Sequence, residues 1–217
     1  MKKFLLAGFI LFSISCTYAQ TELKATMGIN FISIPSVQDY INQSYQPSVQ
    51  LGTFNTAVIF TVEAGQFISS NFVMGLEVPY QIYSYNSNVG LGQYDLTYNS
   101  ILPSLMAYYV LVGDGYNFKF GGGAGPRFVS VIESQKWIGS EVDYSSTGFG
   151  VVVRAEGNTI FGENVYANIG VDIRYDVNGE PSDSDGNKIT NFSENVNFNS
   201  FSAGVKLGIS YLFGVAD

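Results

Sequence analysis

Any chemistry done by this 217-residue chain has to be done without histidine, since it contains none, and with a single cysteine, Cys16. Histidine is the side chain whose proton moves near neutral pH, and with thiolate it supplies most zinc ligands. The usual nucleophilic triads and nitrogen or sulfur metal centres therefore lack their parts. Carboxylates remain. If Ser69-Ser70-Asn71 is a hairpin turn, Glu63 falls opposite Glu77. Two like charges across a ladder are unstable unless a cation or a shared proton lies between them. Such a pair is the acid/base unit of glycoside hydrolysis. The alternative, a basic neighbour such as Arg127 or Lys24 knitting the two into an ionic cluster, asks for no substrate. By the same logic the turn Gly162-Glu163-Asn164 sets Arg154 opposite Asp172 as a cross-strand ion pair. We read these charges as structural and expect no catalytic residue, no metal and no other cofactor. Asp183-Ser184-Asp185-Gly186-Asn187 resembles a calcium loop only loosely, because its glycine comes too early for an EF-hand, and a solvated acidic loop is the expectation.

The elements that must position these charges are strands. Eight segments carry an apolar residue at every second place: Leu23 to Ile34, Thr56 to Ile68, Phe72 to Tyr85, Tyr94 to Leu111, Phe118 to Ile132, Thr147 to Ile160, Val165 to Asp176 and Phe201 to Phe213. In the seventh, Val165, Ala167, Ile169, Val171, Ile173 and Tyr175 share one face, while Asn168, Gly170, Asp172, Arg174 and Asp176 share the other. That is the period of a strand; a helix would scatter both sets. Pro103 and Pro126 cannot donate to a ladder, so a bulge or strand end is expected at each. Around Pro103 the apolar phase shifts from Leu96, Tyr98 and Leu102 to Leu105, Ala107 and Tyr109. The connections alternate between tight turns near 69–71, 113–115 and 162–164 and longer ones near 35–53, 86–93, 133–146 and 178–197. An up-and-down barrel with two unlike ends has this rhythm.

Period two leaves open which face meets solvent, and the polar face decides it. It is mostly Gly, Ser, Thr, Asn and Tyr, and its charges nearly balance. Lys24, Lys119, Arg127, Arg154, Arg174 and Lys206 oppose Glu63, Glu77, Asp95, Glu156, Asp172 and Asp176. A closed interior demands that balance, because an unpaired buried ion is costly. Gly121, Gly123 and Gly125, with Gly28, Gly75, Gly148, Gly150, Gly170, Gly204 and Gly208, share the polar face, where a narrow lumen needs room for long side chains. The apolar face then meets lipid, with Phe31, Phe72, Tyr98, Tyr109, Phe118, Tyr175, Tyr211 and Phe213 as candidates for interfacial girdles. The fold expected is all-β, an eight-stranded antiparallel up-and-down transmembrane barrel.

Lys2 and Lys3 ahead of the apolar run Phe4 to Ile14, with Thr17-Tyr18-Ala19 before Gln20, read as a cleaved signal peptide over residues 1–19, leaving a barrel domain over 20–217. A lipoprotein cut at Cys16 is the rival, opposed by Ser13 where a branched apolar residue belongs. The last strand, Lys206-Leu207-Gly208-Ile209-Ser210-Tyr211-Leu212-Phe213, resembles the C-terminal assembly signal of outer-membrane barrels, with Lys206, Gly208, Tyr211 and Phe213 in the signal's places; it departs from the pattern in ending four residues before the chain does. On these features the chain resembles the small bacterial outer-membrane β-barrel superfamily. The resemblance implies an outer-membrane location, contact with lipid and recognition of the last strand by the barrel-assembly machinery. Enzymes among such barrels rely on a histidine, so a non-enzymatic role is expected, in envelope integrity or in surface interaction through the long loops. There Tyr40, Tyr45, Tyr83, Tyr85, Tyr94, Tyr144 and Trp137 could meet an extracellular ligand or protein, or serve as girdle residues. The acidic balance disfavours nucleic acid. A narrow solute channel and a soluble periplasmic ligand-binding barrel are the alternatives.

Overall fold

The computed structural model describes residues 20–90, 92–191 and 194–214, so the expected signal peptide lies outside the described residues. The described residues form eleven strands: β1 (Thr21–Ser33), β2 (Asn55–Ser69), β3 (Phe72–Val89), β4 (Gly92–Ile101), β5 (Ser104–Val112), β6 (Tyr116–Gln135), β7 (Ser140–Gly162), β8 (Val165–Asn178), the short β9 (Thr190–Asn191) and β10 (Glu194–Asn195), and β11 (Ser200–Phe213). Among the described residues one helix, α1 (Pro35–Ser44), follows β1. β4 and β5 are two halves of one barrel stave, each pairing with β3 on one side and β6 on the other. β11 pairs antiparallel with β1 from Thr21 opposite Phe213 to Ser33 opposite Phe201, which closes a ring of eight staves and leaves no long open edge.

Alternation puts the apolar set outside. Leu105, Leu207 and Val153 are 60, 61 and 66% exposed on the outer wall, whereas Lys119, Arg127 and Arg174 inside are 1, 0 and 0% exposed. A soluble barrel reverses this arrangement; here only hydrocarbon can cover the exterior.

Neither proline introduces a bulge, though the stave is divided at Leu102–Pro103 into β4 and β5, the strand end expected at Pro103. The register is the same on both sides of Pro103, with Ile101 opposite Phe128 and Leu105 opposite Ala124, and β6 runs unbroken through Pro126. The expected phase shift is also absent. Tyr94, Leu96, Tyr98, Leu102, Met106, Tyr108 and Val110 are all buried on one continuous inner face. Tyr98, placed in a girdle from its sequence, therefore points into the barrel. The apparent shift arises because the inner face itself turns apolar toward the loop end, where it has something apolar to cover.

That something is α1. The connection from 34 to 54 is not an open loop: Ile34, Val37, Ile41 and Leu51 pack with Ile189, Val196 and Phe198 against Tyr83, Tyr94, Leu96, Tyr98, Val129 and Val131 in the mouth of the barrel. The helix begins on Pro35, which suits a first helical position, but has no side-chain cap, no acidic first turn and no basic last turn. Burial of Val37 and Ile41, rather than helix propensity, holds it. The connections expected near 86–93 and 133–146 shorten, β3 running to Val89 before β4 starts at Gly92 and β6 to Gln135 before β7 starts at Ser140, because these strands run on past the apolar belt. Gly90 and Gly139 take positive φ in these connections.

Candidate functional site

The lumen is filled in two layers. In the layer nearer the turns, Lys119 pairs with Glu22 and Lys24 donates to Glu156 at 2.8 Å. Lys24 also lies 3.2 Å from Glu63. Arg154 is the hub. One Nη donates to Glu63 at 2.9 Å and to the Tyr108 hydroxyl at 3.0 Å; the other donates to Glu77 at 2.5 Å and to Asp172 at 3.1 Å. Arg174 donates to Glu77 at 2.9 Å and to Asp172 at 3.1 Å, and the Lys206 ammonium stands 2.6 Å from Asp172. Higher up, Arg127 Nε donates to Asp176.

Register explains how these ions meet. Glu63 is opposite Glu77 across β2 and β3, and Arg154 is opposite Asp172 across β7 and β8. The group that neutralises both glutamates is Arg154, reaching across the lumen from β7; Lys24 approaches only Glu63, and Arg127 neither. Glycines provide the clearance: a Cβ at Gly121 would lie 2.5 Å from the Tyr108 ring, and one at Gly28 2.7 Å from Lys206 Cγ.

Eleven of the twelve charges assigned to the lumen from the sequence lie buried there: Lys24, Glu63, Glu77, Lys119, Arg127, Arg154, Glu156, Asp172, Arg174, Asp176 and Lys206. Asp95 does not. It lies on the outer side of β4, 2.5 Å from Lys136 near the hairpin tip, because its neighbours Tyr94 and Leu96 take the inner side to meet the mouth core. Two lumen carboxylates were missed. Glu22 stands two places before Lys24 and Glu133 six places after Arg127, each in phase with an assigned cation, so alternation could have found both.

Glu133 belongs to the upper layer. Its carboxylate accepts the Tyr45 hydroxyl at 2.7 Å and the Tyr40 hydroxyl at 3.1 Å, tying the helix and the residue after it to β6. Burial and the neighbouring carboxylate raise both phenols above the usual tyrosine range. Tyr45 stacks on Tyr94 at 4.6 Å between centroids. Tyr40, Tyr45, Tyr83 and Tyr94 are thus spent on closing the mouth, while Trp137 keeps 40% exposure at a hairpin tip. In the loop at 183–187, Asp183 accepts the backbone N–H groups of Asp185 and Asn187 and the Asn187 side-chain amide. These bonds hold its carboxyl below the ordinary range. The four residues of the last-strand pattern split by alternation: Lys206 is buried inside, Gly208 also faces in, and Tyr211 and Phe213 face out with their rings 4.6 Å apart.

No protein-family model and no curated protein sequence matches the chain. Solved structures do. A major outer membrane protein from Thermus thermophilus is 14% identical with a TM-score of 0.51, over 90% of this chain and 99% of that one. Ail, the attachment invasion locus protein of Yersinia pestis, solved with the heparin analogue sucrose octasulfate, is 11% identical with a TM-score of 0.47, over 91% of this chain and 100% of that one. Neisserial surface protein A is 15% identical with a TM-score of 0.45, over 89% of this chain and 97% of that one. The apolar exterior, the ionic interior and the closed ring give this chain the fold of the small bacterial outer-membrane β-barrels.

Proposed function

We propose that the chain is a non-enzymatic outer-membrane barrel with a sealed lumen, contributing to envelope integrity and presenting its long loops to the outside. One observation carries this reading: two different seals are stacked on one axis. The lower is a network in which Glu22, Glu63, Glu77, Glu156 and Asp172 are shared among Lys24, Lys119, Arg154, Arg174 and Lys206. The upper is the apolar core built on Val37, Ile41 and Phe198. Ions crossing the first would have to displace paired charges in a low-dielectric space, and water crossing the second would have to wet an apolar plug. No carboxylate of the lower network is left free for acid/base work, and the chain offers no histidine. The outer face is acidic, with Glu141, Asp143, Glu180 and Asp185 exposed and Asp183 half-buried, so a neutral or cationic partner is favoured over an anionic one. Within the same reading, the signal peptide is removed after Ala19, and Lys206, Gly208, Tyr211 and Phe213 serve as the assembly signal.

The test is conductance. Purified protein inserted in planar bilayers should show no steady current at moderate voltage. A stable ohmic channel that Glu77→Gln or Arg154→Gln alters in ion selectivity would replace the sealed-barrel reading with that of a pore.

A further inference from the structure

Among the described residues, the wall of the barrel loses ladder hydrogen bonds away from the turns where Pro79 of β3, Pro103 and Pro126 of β6 lie on neighbouring staves; Pro79 cannot return a bond to Leu102, whose carbonyl accepts the Ser104 hydroxyl at 3.2 Å instead. Leu102 donates its N–H toward β3, to the Pro79 carbonyl at 3.0 Å, so the next residue along, Pro103, is the one whose backbone faces β6. Continuing the register that pairs Ile101 with Phe128 and Leu105 with Ala124, Pro103 stands opposite Pro126. A facing pair of this type exchanges two N–H to carbonyl bonds. Two prolines can supply neither, and both carbonyls lose their strand partner. The register irregularities of the wall, between Phe67 and Ser69 and between Ile160 and Gly162, sit beside hairpin turns.

Arg127 fills the gap from inside. Its Nη1 donates to the Pro103 carbonyl at 2.9 Å, to the Pro126 carbonyl at 3.0 Å and to Ser104 Oγ at 3.2 Å, while its Nε is held by Asp176. One side chain thus substitutes for two ladder bonds. On the outer surface the gap is flanked by lipid-facing Ile101, Leu105 and Phe128. On the inner side, Arg127 Nη2, Ser100 Oγ and Thr61 Oγ1 are buried without a partner, and Ser104 is 1% exposed. Unpartnered polar groups therefore lie on the inner face behind a seam whose two proline carbonyls are bonded by a guanidinium, while Ser104 itself donates to the Leu102 carbonyl at 3.2 Å.

We propose that the Pro103–Pro126 seam is a lateral gate between the middle of the lumen and the outer leaflet, with Arg127, anchored on Asp176, as its bolt. When the guanidinium withdraws, two carbonyls line an opening at which no strand hydrogen bond has to break. The class of molecule admitted is an amphiphile dissolved in the membrane: its chain stays against Leu105 and Phe128, and its hydrogen-bonding head meets Ser104, Ser100 and Arg127. The route is sideways, so it holds whether or not the axial ends conduct.

The test is reagent access to Ser104→Cys, in full-length protein carrying Cys16→Ser and refolded into phosphatidylcholine vesicles. The probes are a lipid-soluble maleimide and a membrane-impermeant sulfonated maleimide. Arg127→Gln should speed labelling by the lipid-soluble reagent about tenfold and leave the impermeant one unchanged. Adding Pro126→Ala, which restores an N–H facing the Pro103 carbonyl, should return the rate toward that of the parent. No acceleration, equal acceleration with the impermeant reagent, or no rescue would each overturn the gate. Heat-modifiable gel mobility reports folding of each variant. If Arg127→Gln does not fold, the deciding comparison is Pro126→Ala with Arg127 intact: slower labelling than the parent supports the gate, and an unchanged rate refutes it.

Discussion

Replacing Arg154 by leucine tests the ionic lumen most sharply, because the remaining ions can be followed one by one. Arg154 makes four hydrogen bonds, to Glu63, Glu77, Asp172 and the Tyr108 hydroxyl. Without it, four cations face five carboxylates in the lower network, and one buried negative charge has no counterpart. Breaking a buried pair in this way costs about 3–5 kcal/mol. The structure also says which second change should repair the damage. Removing Glu63 as well leaves Lys24 on Glu156, Lys119 on Glu22, Arg174 on Glu77 and Lys206 on Asp172, one carboxylate for each cation. Removing Glu77 instead restores the overall balance but leaves Arg174 and Lys206 sharing Asp172 while Glu63 crowds the lysine side. Arg154→Leu/Glu63→Leu should therefore recover most of the loss, and Arg154→Leu/Glu77→Leu distinctly less. The first pair should stop about 1–2 kcal/mol short of the parent, because Tyr108 loses the acceptor it holds at 3.0 Å, and Tyr108→Phe on top should close that gap. Urea titration in lipid vesicles, read by gel mobility and by the single tryptophan, measures all four variants. An unchanged midpoint for Arg154→Leu, or better recovery with Glu77 than with Glu63, would refute the pairing scheme.

Gly150→Ala should destabilise by about 1–3 kcal/mol, since a methyl there would overlap Asp176 and Arg127, whereas Gly170→Ala, whose nearest neighbour would be Glu156 Cβ at 3.4 Å, should leave the same urea midpoint within error. Glu133→Gln should keep the barrel folded but loosen α1, seen as faster limited proteolysis between residues 35 and 54; equal cleavage rates would show that the carboxylate does not hold the plug. Because burial raises the Tyr40 and Tyr45 phenols above the unfolded value near 10, their contribution to stability is full below that pH and fades as pH rises through their folded values. Absorbance titration should find two phenols still protonated at about pH 11 that are missing in Tyr40→Phe/Tyr45→Phe, and early titration of both would contradict their burial.

Strand alternation made the staves from Val165 and from Phe201 legible, since both of their faces keep one character along their length. The mouth was not, because alternation reports polarity and only indirectly direction. Along β4 the inner residues Tyr94, Leu96 and Tyr98 are as apolar as the lipid-facing ones elsewhere, and Asp95 was assigned inward for the same reason. What reverses the rule is α1, which the sequence barely announces: its one signal is Pro35, and its buried residues are only Val37 and Ile41. The lower lumen was legible for the opposite reason. Charged residues recur at every second place on strands with an otherwise apolar face, and register across the tight turns fixes their neighbours. Arg154 bridging Glu63 and Glu77 lay beyond that reasoning, because register reports adjacent strands and the bridge crosses the barrel.

The distribution of charge shows why the two layers differ in kind. Six lumen cations, Lys24, Lys119, Arg127, Arg154, Arg174 and Lys206, are matched by Glu22, Glu63, Glu77, Glu156, Asp172 and Asp176, so the part of the barrel surrounded by hydrocarbon carries no net charge. Elsewhere among the described residues, eleven acidic side chains face only Lys136 and Lys188. No counter-ion from solvent can neutralise an excess inside a hydrocarbon jacket, so balance there is a condition of folding. Beyond the belt, water and salt screen the excess, and a net negative face costs little. The mouth lies between these regimes. Its one carboxylate, Glu133, is held by two hydroxyls rather than a cation, and apolar packing supplies the rest. A seal of that kind tolerates salt in the surrounding water, which would weaken exposed ion pairs. The paired ions are kept where salt does not reach.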